Sequence, residues 1–351
     1  MTKRRIFSLG TLAVALLMLS PNTTKAQGDL NFDEFLRAGS EDANTILGNY
    51  ISPFATGFGY GMASGWYNTA KAHKTLGFDI TVTANLAKAP DKDLLFQFLQ
   101  NDYQNLELVG GGSADLPTIF GGETTERLQT SYSTTVNGQN VEVSQQFDAP
   151  PGIDVSDFGG YVPVPMVQFG LGLFKNTDLK LRYIPTQKSE EDGYEVGLIG
   201  FGIMHDFKQW IPGLKAVPID MSIFVGMTKL TTDFDLSGSD IPGSNQTASY
   251  NVNALTYQVL ASKKLSILTL YAGLGFNSVT STMEMLGTYE IETDLPGVPL
   301  VLSDPVNQTF DSSGARATFG FRLKLLILTL HADYTLQEYN TISAGIGLTV
   351  R

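Results

Sequence analysis

The chain has 351 residues, of which 35 are acidic and 23 are basic, and it contains no cysteine. The lack of cysteine excludes disulfides, thiolate metal ligands and thiol nucleophiles. The acidic balance, with a formal net charge of −12, argues against binding to nucleic acid. We therefore predict no nucleic-acid partner, and no motif predicts a cofactor.

Residues 1–26 have the pattern of a secretory signal peptide. Basic residues at positions 3–5 precede an apolar run over 9–19, and Ala26 is the expected last residue before cleavage. Downstream of it, no apolar run approaches the roughly 20 residues that a membrane-spanning helix needs. If the exported chain crosses a membrane, it must therefore do so as a closed β-barrel.

Residues 27–75 are predicted to form a small N-terminal helical plug. A helix is expected to begin at Ser40 and to stop at Pro53, because the apolar residues between them recur at helical spacing. A tract rich in glycine and aromatic residues follows, without the spacing of a phosphate-binding loop. Two alternatives stay open for this tract: it folds into the lumen of a barrel, or it forms the first strand of the wall. Its predicted plug residues are Tyr60, Trp66 and Tyr67.

From residue 76 onward, apolar and polar residues alternate with a period of two, which is typical of β-strands. In the last segment, the apolar residues fall on even positions from Ile342 to Val350. One face therefore suits lipid and the other suits water, as in an outer-membrane barrel. Residues 76–351 are predicted to form an all-β, transmembrane antiparallel barrel of about ten strands, within a range of eight to fourteen. The expected strand starts are Leu76, Val162, Leu179, Tyr194, Val217, Tyr250, Leu265, Gly314, Leu326 and Thr341.

The first two strands are separated by residues 87–161, a segment far longer than an ordinary loop. We predict that it is an ordered extracellular loop. It contains an expected helix over Asp91–Asn101. It also contains an expected hairpin, in which an Asn-Gly turn joins Arg127–Val136 to Gln139–Phe147.

Connections between the strands alternate between longer and shorter. Outer-membrane barrels place short turns in the periplasm, so both termini are predicted there, and the cell outer membrane is the predicted location. The long loops over Thr232–Ala248 and Thr282–Ser313 carry acids and no base, whereas lysines collect in the short turns. The barrel is expected to close by antiparallel pairing of Thr341–Val350 with Leu76–Asn85, with Arg351 at the periplasmic interface.

Three stretches carry a resemblance: Gly59–Ala70, Pro165–Phe174 and His205–Gly213. They resemble an uncharacterised family of outer-membrane proteins from Bacteroidota, and the likeness spans most of the chain after the signal. It implies a fold and a location but no known activity. More loosely, the signal, the helical plug and the barrel look like the long-chain fatty-acid transporter superfamily. That superfamily uses fourteen strands, so no ligand-binding residue is carried over from it.

Polar residues on the inner faces are predicted to line the lumen and to neutralise one another. His331 and Asp333 share one face, two residues apart, and together with Asp79 and Asp220 could instead form a catalytic site of the kind that outer-membrane barrel proteases use. The paired-charge network is the preferred interpretation. No histidine spacing is typical of zinc, so no metal site is predicted. The predicted lumen residues are Asp79, Lys180, Arg182, Glu195, Asp220, Arg316, Arg322, His331 and Asp333.

Two classes of function are consistent with these features. The first is transport or uptake of a small, apolar molecule, which the plug and its aromatic tract favour. The alternative is a structural or surface-interaction barrel that acts through acidic extracellular loops. An enzyme comes third. Outer-membrane lipid and lipopolysaccharide are the expected partners of the outer face, and a small apolar ligand is expected if the protein transports.

Overall fold

Ten β-strands form a closed antiparallel ring in the computed structural model, which describes residues 35–136, 139–152, 160–189, 193–238, 241–293 and 299–350. The predicted signal peptide, residues 1–26, and Arg351 lie outside the described residues. In chain order the elements are α1 (Ser40–Ala63), β1 (Phe78–Lys88), β2 (Leu95–Leu99), β3 (Leu106–Leu108), β4 (Ser113–Pro117), β5 (Arg127–Val136), β6 (Gln139–Asp148), β7 (Tyr161–Leu173), β8 (Thr177–Ser189), β9 (Tyr194–His205), β10 (Asp220–Asp235), β11 (Gly243–Leu265), β12 (Leu268–Ile291), β13 (Leu300–Ser303), β14 (Val306–Leu325), β15 (Leu328–Leu336) and β16 (Thr341–Val350). The ring consists of β1, β7 to β12 and β14 to β16, so the predicted ten-stranded barrel is confirmed.

The ring closes between β1 and β16, with a small difference from the predicted register. Phe78 lies opposite Val350 and Ala87 lies opposite Thr341, which is two residues further along β1 than expected. Leu76 precedes the strand and has a φ of 64°, so it belongs to the turn that leads into β1. Because the offset is even, every side chain keeps its expected face.

The outer face of the ring carries a continuous band of exposed apolar side chains. These alternate along each strand with residues that point into the lumen. An apolar surface that runs around a closed ring is what a membrane-spanning barrel presents to lipid, so the chain is a transmembrane β-barrel. Members of the band are Ile80, Val82, Val167, Phe169, Leu179, Tyr183, Ile199, Phe201, Ile223, Val225, Tyr257, Val259, Leu270, Leu274, Phe319, Phe321, Leu330, Tyr334, Ile346 and Leu348.

The wall of the barrel is low on one side and tall on the other. β1, β15 and β16 have 11, 9 and 10 residues, whereas β11 and β12 have 23 and 24. The tall strands run through much of Thr232–Ala248 and Thr282–Ser313, so the long loops predicted there are wrong. Above the apolar band the outward positions become polar, and a strand that stands in water tolerates this.

Residues 89–152, hereafter the cap, contain two small antiparallel sheets. One pairs β2 with β4, and the other pairs β3 with β5 and β5 with β6. The predicted hairpin is confirmed, because Val136 lies opposite Gln139. Its two turn residues lie outside the described residues.

The helix predicted over Asp91–Asn101 is wrong. A short 3-10 turn at Asp91–Asp93 is followed by strand β2, and a second 3-10 turn covers Gln100–Asp102. In β2, Phe98 is buried while its neighbours Gln97 and Leu99 are exposed. A period of two therefore describes this segment better than helical spacing does.

Helix α1 lies inside the ring, where it contacts strands on several sides: β1, β7, β10, β11, β12 and β14. Pro53 does not stop it, because the helix continues to Ala63. A proline removes one backbone hydrogen bond, and burial of the helix within the barrel outweighs that loss. Among the described helices, none is both long and apolar enough to cross a membrane.

Helix α1 runs from the cap end of the barrel towards the opposite end. Its first turn lies against the cap, where the Asp42 carboxylate accepts hydrogen bonds from the amides of Gln104, Asn105 and Leu106. The end of the barrel with the long connections therefore holds the start of the helix, and residues 64–77 lead back to β1 at the opposite end. Val350 also lies at that opposite end, opposite Phe78. The start of β1 and the end of β16 thus share one end of the barrel, as the even strand count predicts, and the N-terminal residues before Phe35 lie outside the described residues.

Candidate functional site: a helix held in the lumen

The half of the lumen nearest the cap is apolar. Phe54 and Phe58 of α1 pack on Tyr250 of β11, with ring centroids 6.1 and 6.3 Å apart. The sequence predicted polar inner faces throughout, but here the helix offers an apolar partner, and mutual burial stabilises both surfaces. Buried inward residues of the wall in this half are Val164, Met166, Leu198, Leu230, Val252, Val279 and Met283.

Glycines bring α1 close to the wall. A Cβ atom at Gly61 would lie 2.5 Å from Cγ2 of Val164, and one at Gly59 would overlap the side chain of Val279. The helix could not approach this closely with larger residues at these positions. Gly57 to Ala63 is helical, so the alternative of a wall strand in this tract is wrong.

Two arginines from opposite walls bind the end of α1. Arg182 of β8 donates from Nη1 to the carbonyl of Met62 at 2.7 Å and from Nη2 to that of Ser64 at 2.6 Å. Arg316 of β14 donates from Nη1 to the carbonyl of Ala63 at 2.9 Å. The last turn of α1 has no basic residue of its own. The wall therefore supplies the positive charge that stabilises a helix C-terminus.

Neutral groups surround both guanidinium groups. Arg182 lies 3.7 Å from the ring centroid of Trp66 and donates from Nε to Gln168. Arg316 donates to Oδ1 of Asn277 at 2.9 Å. Within the described residues, neither arginine forms an ion pair with an acid. The direct partners of these two arginines are thus helix carbonyls, amide oxygens and an aromatic face, whereas the sequence analysis expected pairing with carboxylates.

The three predicted plug residues lie inside the ring and are buried. Trp66 and Tyr67 both pack on Phe224 of β10, with ring centroids 5.5 and 6.0 Å apart. The Tyr67 hydroxyl donates to Oε1 of Gln258 at 2.6 Å. On the opposite side, Tyr60 stacks on Tyr339 with centroids 6.1 Å apart. The segment thus fills the lumen on both sides of the arginine pair.

The other half of the lumen is polar. The Tyr271 hydroxyl donates to Asp333 at 2.8 Å, and Nε2 of His331 lies 3.4 Å from the hydroxyl of Thr83. His331 and Asp333 therefore contact different partners. The predicted lumen residues that are buried and point inward here are Asp79, Lys180, Arg322, His331 and Asp333.

Two predicted lumen residues lie elsewhere. Glu195 is exposed on the outer face of β9, and its carboxylate lies 3.7 Å from Nζ of Lys188, also on the outside. Even-numbered residues of β9 point inward, which makes Glu195 an outward position. Asp220 is on the inner side of β10, but it is only half-buried because it is the first residue of the strand.

His73, one of the three histidines of the chain, makes a contact that the sequence does not predict. It lies in the segment between α1 and β1, and its Nδ1 is 2.9 Å from Oδ2 of Asp178. Its Nε2 is 3.7 Å from Oδ1 of Asp79, while its backbone amide donates to Asp178. No local pattern links residues 105 positions apart, so only closure of the barrel reveals this contact.

The wall has a seam between β7 and β8. Their ladder contains six pairs, from Leu173–Thr177 up to Gln168–Arg182. Above these pairs, residues 161–167 of β7 and 183–188 of β8 have no pairing with each other. Val167 and Tyr183 belong to the apolar band, so the seam begins at the upper edge of that band. From that edge the unpaired backbone of both strands extends away from the band, towards the end of the barrel that holds the cap.

Prolines lie on the β7 edge of the seam. The amide and carbonyl of Gly172 bond on the β1 side, which directs odd-numbered residues of β7 towards β8. Pro163 and Pro165 therefore lie where the backbone of β7 faces β8, and neither has an N–H that could donate a hydrogen bond across the gap. Proline is typical of such unpaired strand edges. In the gap, Ile184 packs against the buried cluster that includes Leu198. Apolar contact thus continues from the outer face to the lumen.

A family model for proteins of unknown function, DUF6588, matches residues 2–350. The chain belongs to the DUF6588 family. The expected membership of an uncharacterised family is confirmed to that extent. No curated protein matches the sequence.

Solved structures with some likeness to this DUF6588 member include three outer-membrane proteins. Ail of Yersinia pestis is 6% identical, with a TM-score of 0.26, and the match covers 79% of this chain and 98% of Ail. The translocator domain of NalP from Neisseria meningitidis is 12% identical, with a TM-score of 0.22 and coverage of 80% and 90%. The protease OmpT of Escherichia coli is 8% identical, with a TM-score of 0.24 and coverage of 78% and 94%. TM-scores this low carry no argument about function.

The features of this DUF6588 barrel that bear on function are a lumen filled by α1 and a gap in the pairing of its wall. Among the described residues, no group of three or more His, Asp or Glu side chains is arranged to hold a metal ion. The helix end, the arginine pair and the seam lie in the same part of the molecule, because Arg182 forms the last rung of the β7–β8 ladder and also binds α1.

Proposed function

We propose that the protein transports a small apolar or amphipathic molecule across the cell outer membrane. The molecule enters from the outer leaflet through the seam between β7 and β8, while α1 closes the lumen. The unpaired wall above the Gln168–Arg182 rung is the observation that carries this proposal. It supports an apolar substrate because the gap joins the lipid-facing band to the apolar half of the lumen.

The outer membrane is the proposed location. Closed antiparallel barrels with an apolar outer face are typical of that membrane. The signal-peptide pattern of residues 1–26 supports export to it. Lipid and lipopolysaccharide are then the molecules that contact the outer band, and they surround the seam where the apolar band ends.

The position of α1 in the lumen supports a transporter whose lumen is closed in the resting state. Noncovalent polar bonds to Met62, Ala63 and Ser64 hold its end, and none of these bonds belongs to the wall ladders. The helix can therefore shift without unpairing the barrel. Arg182 connects the seam to the helix, because it lies in the last β7–β8 pair and also binds the end of α1. A movement of β8 at the seam would therefore move Arg182.

A crosslink across the seam tests the proposal. Val167 and Tyr183 are the first residues above the last rung, one on each strand, and both face outward. The chain has no cysteine, so Val167→Cys with Tyr183→Cys can be joined by a short bis-maleimide in intact cells. We expect uptake of a fluorescent apolar probe to fall to background after crosslinking.

The matched control joins a part of the wall that is already paired. Leu181 and Phe201 lie opposite each other on β8 and β9, and a crosslink between cysteines there should leave uptake unchanged. Equal uptake in the two crosslinked variants would refute entry through the seam.

A further inference from the structure

The upper part of β14 has a free edge. β14 pairs with β12 from Val306 to Leu323, but its ladder with β15 begins only at Ala317, opposite Leu336. β15 ends at Leu336, so within the described chain no strand pairs with this side of β14 above Ala317. Because β15 has 9 residues and β14 has 20, the upper part of β14 extends beyond its neighbour.

Backbone hydrogen bonds identify which residues face this edge. The backbone amide of Asn307 donates to Oδ1 of Asn44, and Nδ2 of the same Asn44 side chain donates to the carbonyl of Pro305. Odd-numbered residues of β14 therefore direct their backbone groups to the free side, and the amide of Lys324, an even-numbered residue, bonds on the β12 side. At the top of the edge, the side chain of Asn44 makes the hydrogen bonds that a neighbouring strand would make. Below Asn307 the free edge runs from Thr309 to Ala315.

The β14 edge keeps its donors, unlike the β7 edge at the seam. Proline occupies two of the positions where β7 faces its gap, which blocks pairing with another strand. Between Thr309 and Ala315 there is no proline, and Thr309, Asp311 and Ser313 all lie exposed. The two edges are therefore not equivalent: one is protected, and the other is able to accept a strand.

A polar groove of about 550 Å³ runs beside this edge. Its walls include Asp311 to Ser313 of β14, polar side chains of α1 such as Ser52 and Thr56, and Phe96 of the cap. At its floor, the Tyr339 hydroxyl donates to Oδ2 of Asp93 at 2.7 Å. The groove thus combines an open backbone edge with side chains that can bind polar groups.

The charge of the groove is negative. Asp93, Asp311 and Glu338 line it, and among the described residues one cation, Lys92, lies beside them. Nζ of Lys92 already lies 3.1 Å from Glu338 and 3.6 Å from Asp93. An extended ligand that adds basic side chains would therefore find unbalanced carboxylates next to the strand edge.

We propose that the edge of β14 from Thr309 to Ala315 binds an extended, basic peptide segment of a partner protein as an added β-strand. Main-chain bonds to the odd-numbered residues provide affinity, and the carboxylates of the groove select basic side chains. This surface-interaction role is independent of transport, because the groove and the seam lie on different sides of the low wall.

The test uses the full chain in detergent and a fluorescent six-residue peptide of alternating lysine and threonine, read by fluorescence anisotropy. Ser313→Pro removes the backbone N–H of residue 313 from the free edge and leaves the hydrogen bonds between β12 and β14 in place. Ser313→Ala keeps that N–H. We expect Ser313→Pro to weaken binding at least tenfold and Ser313→Ala to change it less than twofold. Heat-modifiable migration on a gel checks that both variants fold.

Two further arms separate strand addition from simple charge attraction. A peptide N-methylated at alternate residues keeps its charge but cannot pair, and it should bind at least tenfold more weakly. Asp311→Asn with Glu338→Gln should weaken the lysine peptide at least fivefold. The proposal is overturned if wild type does not bind the peptide, if methylation has no effect, or if the proline and alanine variants bind alike.

Discussion

Arg182 and Arg316 begin on strands five positions apart in a ring of ten, and both reach Ser64. Arg182 donates to the backbone carbonyl of Ser64, and Arg316 lies 3.3 Å from its hydroxyl. The end of α1 is thus held from both sides of the barrel. We call this arginine pair the latch, since the helix can leave only when both sets of bonds break.

Removing the latch should open the lumen. Arg182→Met with Arg316→Met keeps two long apolar side chains but deletes the donors to the helix carbonyls, each worth about 1.5–3 kcal/mol. We expect the double variant to conduct ions in planar bilayers well above wild type. A chain that lacks residues 27–67 has no helix at all, and it provides the upper limit of conductance.

The control is an arginine whose replacement should leave the ion conductance unchanged. Arg127 pairs with Asp148 at 3.1 Å on the exposed surface of the cap, and such pairs contribute little. Arg127→Met should behave as wild type. Background conductance from a correctly folded latch variant would show that α1 is held by its apolar packing alone.

Close packing between α1 and the wall predicts a sharp difference between two glycines. At Gly59 an added Cβ would overlap Val279, whereas at Gly122 nothing lies within 4 Å. Gly59→Ala should lower the free energy of unfolding by about 1–3 kcal/mol, because the helix or β12 must move to make room. Gly122→Ala should leave it nearly unchanged. Urea unfolding of the refolded barrel measures both, and equal costs would mean that the contact is not tight.

The position of the apolar band predicts the cost of a charge on the outer face. Val225 lies mid-way along the outward apolar residues of β10, and Thr231 lies on the same face above them. Val225→Arg should cost about 2–4 kcal/mol and Thr231→Arg about 0–1 kcal/mol, because the penalty falls towards the interface. Unfolding from liposomes gives both values. A larger cost at Thr231 would place the bilayer higher on the barrel.

Period-two alternation was enough to predict the barrel, its strand count and the partners at its closure. It works because each strand must place one face in lipid, so a slip of one residue would reverse every side chain. Glu195 shows where polarity alone misleads. An acid in a barrel strand suggests the lumen, yet the parity of β9, read from Ile199 and Phe201, places it outside.

The site could be predicted only in part, for a different reason. The plug segment and the buried arginines were each visible in the sequence, but their contact was not. Arg182 and Met62 are 120 residues apart, and Arg316 and Ala63 are 253 apart. The helix beyond Pro53 was missed because a proline rule describes isolated helices, whereas α1 is stabilised by the wall around it. The cap strand β2 was missed because a short apolar run fits either period.

The direction of α1 predicts which side of the membrane each end of the plug segment faces. Glu41, in the first helical turn beside the cap, is exposed, and so is Lys71, in the segment that returns to β1. Ser222 at the start of β10 donates to the carbonyl of Ala70, which fixes Lys71 at the short-turn end of the barrel. If long connections face outward, Glu41 is outside the cell and Lys71 is in the periplasm.

A membrane-impermeant maleimide should therefore label Glu41→Cys in intact cells. It should label Lys71→Cys only after the outer membrane is permeabilised, and the absence of other cysteines makes each signal specific. Labelling of Lys71→Cys alone in intact cells would invert the barrel in the membrane, and labelling of neither would mean that the cap covers the start of the helix.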